Sequence, residues 1–290
     1  MNSHEIIKAV VSEPVAQTPI NHRAAVLGFP IAHSRSPVLH NAGYQALEMA
    51  DWDYSRMECT EEDLPGIIGD ADESYVGFSV TMPAKFAALR CADEVTERAQ
   101  LIGSANTLVR TEAGWRADNT DCDGVIGALG ELLGQRLDQI NRALVIGGGG
   151  TARPALWALA QAGITEVTVL NRSDRRAELA PLVEALGLSV NFINFGHDIR
   201  QAAIDAEVIV STVPSAAVAG HESDLGHAPV LDVIYEPWPT RLTIAAAANG
   251  YRTVGGHVML AHQAFGQFEQ FTAQPAPKEQ MRQALERSLR

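Results

Sequence analysis

Hydrophobic positions along this 290-residue chain fall into short runs separated by stretches of helical spacing, and the alternation repeats over most of its length. From Arg23 onward the pattern predicts strand 24–28, helix 36–49, strand 52–58, helix 61–69, strand 75–81 and helix 84–90. A further helix is predicted over 93–101, then strands near 105–110 and 115–118 joined by the turn signal Glu112-Ala113-Gly114. A helix from Asp121 to Leu133 leads to a second series, with strands at 143–147, 166–170, 189–195, 207–212, 229–235 and 252–254. Gly255-Gly256 precedes an amphipathic helix of about 258–272, and Pro275 and Pro277 introduce a last one, 277–289. Strands separated by helices imply a mostly parallel sheet covered on both faces.

The expected fold class is α/β with two domains. Residues 1–21 are polar, contain Pro14 and Pro19, and read as a loosely held tail. Residues 22–121 form a mostly parallel α/β/α domain that holds the substrate, joined by the C-terminal helices of 257–290. Residues 122–256 form a Rossmann-type, doubly wound nucleotide-binding domain, and ligands are expected in the cleft between the two.

Composition narrows the function classes. A net charge of −13 argues against a nucleic-acid partner or an anionic membrane surface, since both select for basic patches. No apolar run reaches the length of a membrane span, and the N-terminus lacks the apolar core of a signal peptide. Cys59, Cys91 and Cys122 are dispersed, which suggests buried thiols in a reducing cytoplasm. No histidine pattern suggests a metal, so metal dependence is not expected.

Against that acidic background one basic cluster stands out. Ala143 to Arg153 reads as strand, glycine turn and helix start, with Gly147, Gly148, Gly149, Gly150 and Thr151 in the turn. Such a turn offers backbone N–H groups and a helix N-terminus to a pyrophosphate. About twenty residues on, the next strand ends in Asn171-Arg172-Ser173-Asp174-Arg175-Arg176. An acidic residue at that strand end would hold a ribose 2′-hydroxyl, whereas Asn171 and Arg172 suit a 2′-phosphate, so NADP(H) is the expected cofactor. A glycine run alone is a weak signal, and Arg175 and Arg176 could each simply face solvent on a helix.

In the first domain, polar residues gather where strands end. Ser36 before Pro37 suits a helix N-cap, and Ser34 and Ser36 together could hold a small carboxylate at a helix N-terminus. Lys85 falls in the first turn of a helix opened by Pro83, where the helix dipole disfavours a cation and favours the neutral amine that proton transfer uses. A snorkelling surface lysine is the plainer reading. Asn106, in Gly103-Ser-Ala-Asn-Thr107, could close a turn, and Asp121, in Ala117-Asp-Asn-Thr-Asp121, could be an N-cap. Together they supply one lysine, one carboxylate and several neutral hydrogen-bonding groups, a set suited to hydride transfer on a polyhydroxylated substrate.

These segments resemble the shikimate dehydrogenase family, in the same order from residue 23 onward. The matching stretches are G-F-P-I-A-H-S-R-S-P-x-x-H-N (28–41), S-V-T-M-P-A-K (79–85), G-S-A-N-T (103–107) and D-N-T-D (118–121). They continue with G-G-G-G-T-A-R (147–153), N-R-S-D-R-R (171–176), D-V-I-Y-E-P-W-P-T (232–240) and G-H-V-M-L-A-H-Q-A (256–264). The resemblance implies reduction of 3-dehydroshikimate to shikimate with NADPH in aromatic amino-acid (chorismate) biosynthesis, in the cytoplasm. It implies Lys85 and Asp121 as the catalytic pair, Ser34, Ser36 and Tyr235 on the substrate carboxylate, and Thr81, Asn106, Asp121 and Gln263 on the ring hydroxyls. The cofactor would lie on Gly147 to Thr151 and Asn171 to Arg176. Val233, Gly256 and Met259 would line its nicotinamide end, with Glu97 nearby. A homodimer is the assembly allowed for.

The chain departs from the family pattern at Ser79, where asparagine is usual, at Asp118, where glycine is usual, and over Ser211-Thr-Val-Pro-Ser-Ala216, where N-A-T-P-x-G is usual. Two other functions are weighed. An NAD-preferring quinate/shikimate dehydrogenase is disfavoured by Arg172, although Asp174 is close. A non-catalytic NADP sensor would have no need of Lys85 and Asp121.

Overall fold

The computed structural model describes residues 19–290, so most of the tail read over 1–21 lies outside the described residues. The first sheet is built from β1 (His22–Gly28), β2 (Trp52–Glu58), β3 (Tyr75–Val80), β4 (Glu94–Val95), β5 (Thr107–Thr111) and β6 (Gly114–Asp118). Between them lie α1 (Ser36–Ala46), α2 (Leu64–Asp70), α3 (Lys85–Cys91) and α4 (Glu97–Ile102). The sheet order is β2-β1-β3-β5-β6-β4. Strand β1 runs parallel to β2 and β3, and β4 parallel to β6, while β5 is antiparallel to both its neighbours. The helix expected over 93–101 divides: Glu94–Val95 pairs with β6, and the helix begins only after Thr96, whose hydroxyl caps it by accepting from the Ala99 N–H.

Helix α5 (Asp121–Leu133) leads into the second sheet: β7 (Arg142–Ile146), β8 (Glu166–Leu170), β9 (Ser189–Ile193), β10 (Val208–Ser211), β11 (Val230–Asp232) and β12 (Thr253–Gly255). Its helices are α6 (Ala152–Gln161), α7 (Arg176–Leu186), α8 (Ile199–Asp205), α9 (Glu222–Leu225) and α10 (Arg241–Ala248). All strands are parallel, in the order β12-β11-β10-β7-β8-β9. The order reverses between β7 and β10, and open α/β sheets bind ligands at such a switch point, beyond the strands' carboxyl ends.

Side-chain alternation explains why both sheets are covered on two faces. In β1, Ala24 and Val26 join one core with Tyr54 and Phe268, while Ala25 and Leu27 join the opposite core with Phe78 and Trp115. In β7, Ala143 and Val145 face α5 and α6, and Leu144 and Ile146 face the other way, toward Ile209 and Leu242. A strand buried on both sides reads as a continuous apolar run, which is why these were the clearest strands in the sequence.

Helices α11 (Gly256–Thr272) and α12 (Lys278–Ser288) follow β12 and pack back against α5 and α1. The α5–α11 contact is close because glycines line it. A Cβ on Gly124 would sit 2.7 Å from the Met259 carbonyl oxygen, and one on Gly127 would overlap the His262 ring at 2.2 Å. That approach carries Gln263 from the far end of the chain to the start of α5.

Replacing Gly124 by alanine should destabilise the fold by roughly 1–3 kcal/mol, because the atom it meets is backbone and cannot rotate aside. Urea unfolding of wild type and G124A checks this; equal midpoints would show that the helices separate freely.

Candidate active site

The carboxyl ends of β1 and β3 and the amino end of the antiparallel β5 open onto one cavity of about 330 Å³, closed from the other side by residues that follow β11 and β12. Ser34 and Ser36 reach it from the entry to α1, Thr81 and Lys85 from the turn after β3 and the start of α3, Asn106 from the residue before β5, and Asp121 from the first residue of α5. Tyr235 comes from the segment after β11 and Gln263 from α11. Thr151, Val233, Gly256 and Met259 line the same space. Residues spread over more than 200 positions are thus gathered by the two sheets.

At its centre Lys85 Nζ donates to Asp121 Oδ2 at 2.5 Å, with the two side chains 16% and 11% exposed. Asp121 Oδ1 accepts from Asn106 Nδ2 at 3.0 Å, so both carboxylate oxygens have donors. Bonds of this kind, between charged groups away from bulk water, are stronger than neutral ones. The backbone beneath is equally tied. Asn106 Oδ1 accepts from the Thr120 N–H at 2.7 Å, Asn119 Oδ1 from the Asp121 N–H at 3.1 Å, and Asn119 Nδ2 donates to the Ser104 carbonyl at 2.9 Å.

Two capping expectations are corrected. The N-cap position of α1 is Arg35, and Ser36 is the first helical residue, its N–H donating to Ser34 Oγ at 3.4 Å. The cap of α5 falls on Thr120, so Asp121 is helical and its carboxylate turns toward Lys85 instead of the backbone. In both cases the helix begins one residue earlier than side-chain preference suggests, which leaves the hydroxyl or carboxylate facing the cavity. Asn106 does more than close a turn: it also donates to Thr120 Oγ1 at 3.0 Å.

Gln267, one turn beyond Gln263 on the same face of α11, is a further residue of the site, and the i, i+4 spacing of two glutamines is its signal in the sequence. Gln267 is buried, lines the cavity, and donates to the Asn106 carbonyl and Thr107 Oγ1, both at 3.0 Å. Its Oε1 accepts from Ser79 Oγ at 2.7 Å, and Ser79 accepts from the Tyr54 hydroxyl at 2.6 Å. Ser79, which departs from the family pattern, therefore passes a hydrogen bond between Tyr54 and Gln267. His40 stacks on Tyr54 with ring centroids 4.1 Å apart, and burial lowers its pKa to about 3, so it packs as a neutral ring. Tyr235 has its phenol pKa raised, chiefly by burial, which keeps it a neutral donor.

The glycine turn stands beside this cavity. Gly147 has φ of +112°, a conformation that favours glycine, and a Cβ there would strike Thr212 and Val213 across the switch point. A Cβ on Gly148 would meet Arg175 and come within 3.5 Å of Asn171 Cγ, whereas Gly149 and Gly150 face open space. The turn thus leaves room above the N-terminus of the ten-residue α6, with Asn171 and Arg175 at its rim. These residues fit a dinucleotide: amides and a helix end for the pyrophosphate, and a guanidinium beside them for an added phosphate. Arg172, Ser173 and Arg176 are exposed nearby; Arg175 pairs with Glu178 at 2.7 Å, and Arg176 lies over the Phe192 ring. Gly256 packs directly on the Val233 carbonyl, which joins those two positions. Glu97 is exposed at the first position of α4 and does not line the cavity.

Ser211, at the end of β10, is buried and adjoins Asp232, whose carboxyl is pushed up by burial and accepts from Thr240 Oγ1 at 2.8 Å. Among the described residues, no group of three or more His, Cys, Asp or Glu side chains could hold a metal ion, and no helix is long and apolar enough to cross a membrane.

Comparison with known proteins agrees over most of the chain. Residues 26–108 match the family profile "Shikimate dehydrogenase substrate binding domain", residues 131–229 match "Shikimate / quinate 5-dehydrogenase", and residues 256–286 match "Shikimate 5'-dehydrogenase C-terminal domain". A shikimate dehydrogenase (NADP(+)) of Cereibacter sphaeroides is 37% identical over 274 residues, covering 90% of this chain and 96% of the relative. The crystal structure of Mycobacterium tuberculosis shikimate dehydrogenase is 51% identical with a TM-score of 0.86, covering 92% of this chain and 99% of that one. The Thermus thermophilus enzyme, solved with NADP(H) and shikimate, is 32% identical with a TM-score of 0.78, covering 92% and 99%. By fold, by ordered motifs and by these likenesses, the chain belongs to the shikimate dehydrogenase family.

Proposed function

We propose that this protein catalyses the reversible, NADPH-dependent reduction of 3-dehydroshikimate to shikimate, the step that serves chorismate and aromatic amino-acid biosynthesis. The observation that carries the reading is the Lys85–Asp121 contact inside a cavity bordered by the glycine turn's Thr151. Relatives that are NADP(+)-dependent shikimate dehydrogenases support both substrate and cofactor. Three free cysteines among the described residues, two of them buried, fit a reducing cytoplasm.

A dinucleotide held at the glycine turn would supply the hydride. The protein's own residues do the rest. Ser34 and Ser36 hydroxyls and the neutral Tyr235 phenol hold the substrate carboxylate, and Thr81, Asn106 and Gln263 orient the ring hydroxyls. Lys85 stabilises the negative charge that develops on the carbonyl oxygen and delivers the proton, with Asp121 orienting the amine and holding a hydroxyl. Held in direct contact, Lys85 and Asp121 act together as one acid–base unit. Asn106 keeps Asp121 aimed at Lys85 through its 3.0 Å bond. The amides of Gly147 to Thr151 would hold a pyrophosphate, and Asn171, Arg172, Ser173, Arg175 and Arg176 would receive a 2′-phosphate. Val233, Gly256 and Met259 shape the wall at the reactive ring.

Lys85→Ala should lower kcat by roughly a hundredfold or more, measured by absorbance of reduced cofactor in either direction. A kcat near wild type with only KM raised would leave Lys85 a binding residue.

Initial rates at equal cofactor concentrations should favour NADP over NAD, and shikimate over quinate. The double variant R172A/R175A should lose about tenfold or more in kcat/KM for NADP while changing little with NAD, because the extra phosphate is the group that NADP would offer these guanidiniums and NAD would not. A preference for NAD in wild type would overturn the cofactor assignment.

A further inference from the structure

Three aspartates crowd the start of α5: Asp118, Asp121 and Asp123. Lys85 engages the middle one, and a single cation from α4 engages the other two. Arg98 Nε and Nη2 donate to Asp118 Oδ1 and Oδ2 at 2.7 and 2.6 Å, a bidentate pair. Its Nη1 and Nη2 also donate to Asp123 Oδ1 and Oδ2 at 2.8 and 3.0 Å. Asp118 accepts two further bonds, from Thr96 Oγ1 at 2.7 Å and from Gln270 Nε2 at 2.8 Å. The Asp118 side chain is 6% exposed and Arg98 22%, so these charges are largely out of water. Burial pushes the Asp118 carboxyl up, but Arg98 more than compensates and holds it near 2.

We propose that Arg98 and Asp118 form a positioning pair for the reaction, one that fixes the strand end before Asp121, anchors α11, and balances the carboxylates flanking the Lys85–Asp121 unit. Two consequences of the geometry support this. First, Asp118 lies three residues before Asp121 in a segment where Asn119 and Thr120 are also tied down. Its link to Gln270 attaches the same point to α11, which presents Gln263 and Gln267 to the cavity. Secondly, the arrangement has a charge logic. With Arg98 present, the flanking aspartates leave one net negative charge; without it they leave two, and a buried unpaired carboxylate is costly.

Other titratable or charged groups around the two clusters are Cys122 on α5, Tyr235 and His33 across the cavity, and Arg153 on α6 against the end of α4. His262, Glu269 and Lys278 line the solvent side of the Arg98 recess. None of these donates to or accepts from Asp118.

The inference rests on the proposed reaction, because its readout is oxidation of shikimate by NADP; wild-type turnover tests that reading, and the variants test only the pair. In this direction Lys85–Asp121 must accept a proton, so the rate rises with pH. Extra negative charge nearby favours the protonated unit and moves the rising limb to higher pH. R98Q should therefore shift the limb upward by about half a pH unit or more and lower kcat on the rising part of the profile by about threefold or more. D118N keeps the side-chain shape but removes a negative charge, so its limb should move to lower pH. The double variant R98Q/D118N restores the wild-type charge balance, and its limb should return toward the wild-type position. KM for NADP should stay within about twofold throughout, since Arg98, Asp118 and Asp123 are not among the groups that pack on Gly147 to Gly150. Should R98Q fail to fold, the downward shift in D118N alone tests the charge balance. Limbs that stay in place while only thermal stability falls, or that move in the same direction in R98Q and D118N, would reduce the pair to a packing role and overturn the proposal.

Discussion

Backbone-to-backbone approach of α5 and α11 is the constraint on which the site depends. Gly124 meets the Met259 carbonyl where any side chain would intrude, and Gly127 leaves room for the His262 ring. Held that close, α11 delivers Gln263 and Gln267 to the point where α5 presents Asp121. Were the helices a few ångströms further apart, the hydrogen bonds from Gln267 to Asn106 and Thr107 would have to break, and the cavity would lose one wall. Helix–helix packing here sets active-site geometry directly.

The chemistry inside is economical in charge. One ion pair sits among neutral donors and acceptors, several of which are already satisfied by one another in a chain running from Tyr54 through Ser79, Gln267, Thr107 and Asn106 to Asp121. Buried networks of this kind hold side chains in single orientations when every member is paired. A polyhydroxylated substrate therefore meets groups whose directions are set before it arrives. Preorganisation of that kind lowers the reorganisation needed when negative charge develops on the substrate oxygen.

Much of this was legible in the chain. The buried strands showed as apolar runs, and Asp121–Leu133 was read with the bounds it has, because its 3.6-residue apolar period is unbroken. Motif residues such as Lys85, Asn106 and Asp121 stand at strand boundaries, and ordered similarity to a known family gave them roles. What misled was local capping preference: Ser36 and Asp121 are good caps in isolation, yet each lies inside its helix and turns its side chain to the cavity. Edges were also harder than centres. The short β4 pairs with β6 through two residues and cannot be told from a helix start by periodicity.

Sequence alone determined the α/β class, the glycine turn with its basic neighbours, and the identity of the groups able to move a proton, since these depend on period and residue type over short spans. Tertiary structure decided which of those groups meet. The 2.5 Å contact of Lys85 with Asp121, the reach of Gln267 to Asn106, and the sharing of Arg98 between Asp118 and Asp123 join segments separated by between 20 and 161 positions. No local pattern encodes such distances, because they arise only when two sheets and a returning helix pack against one another.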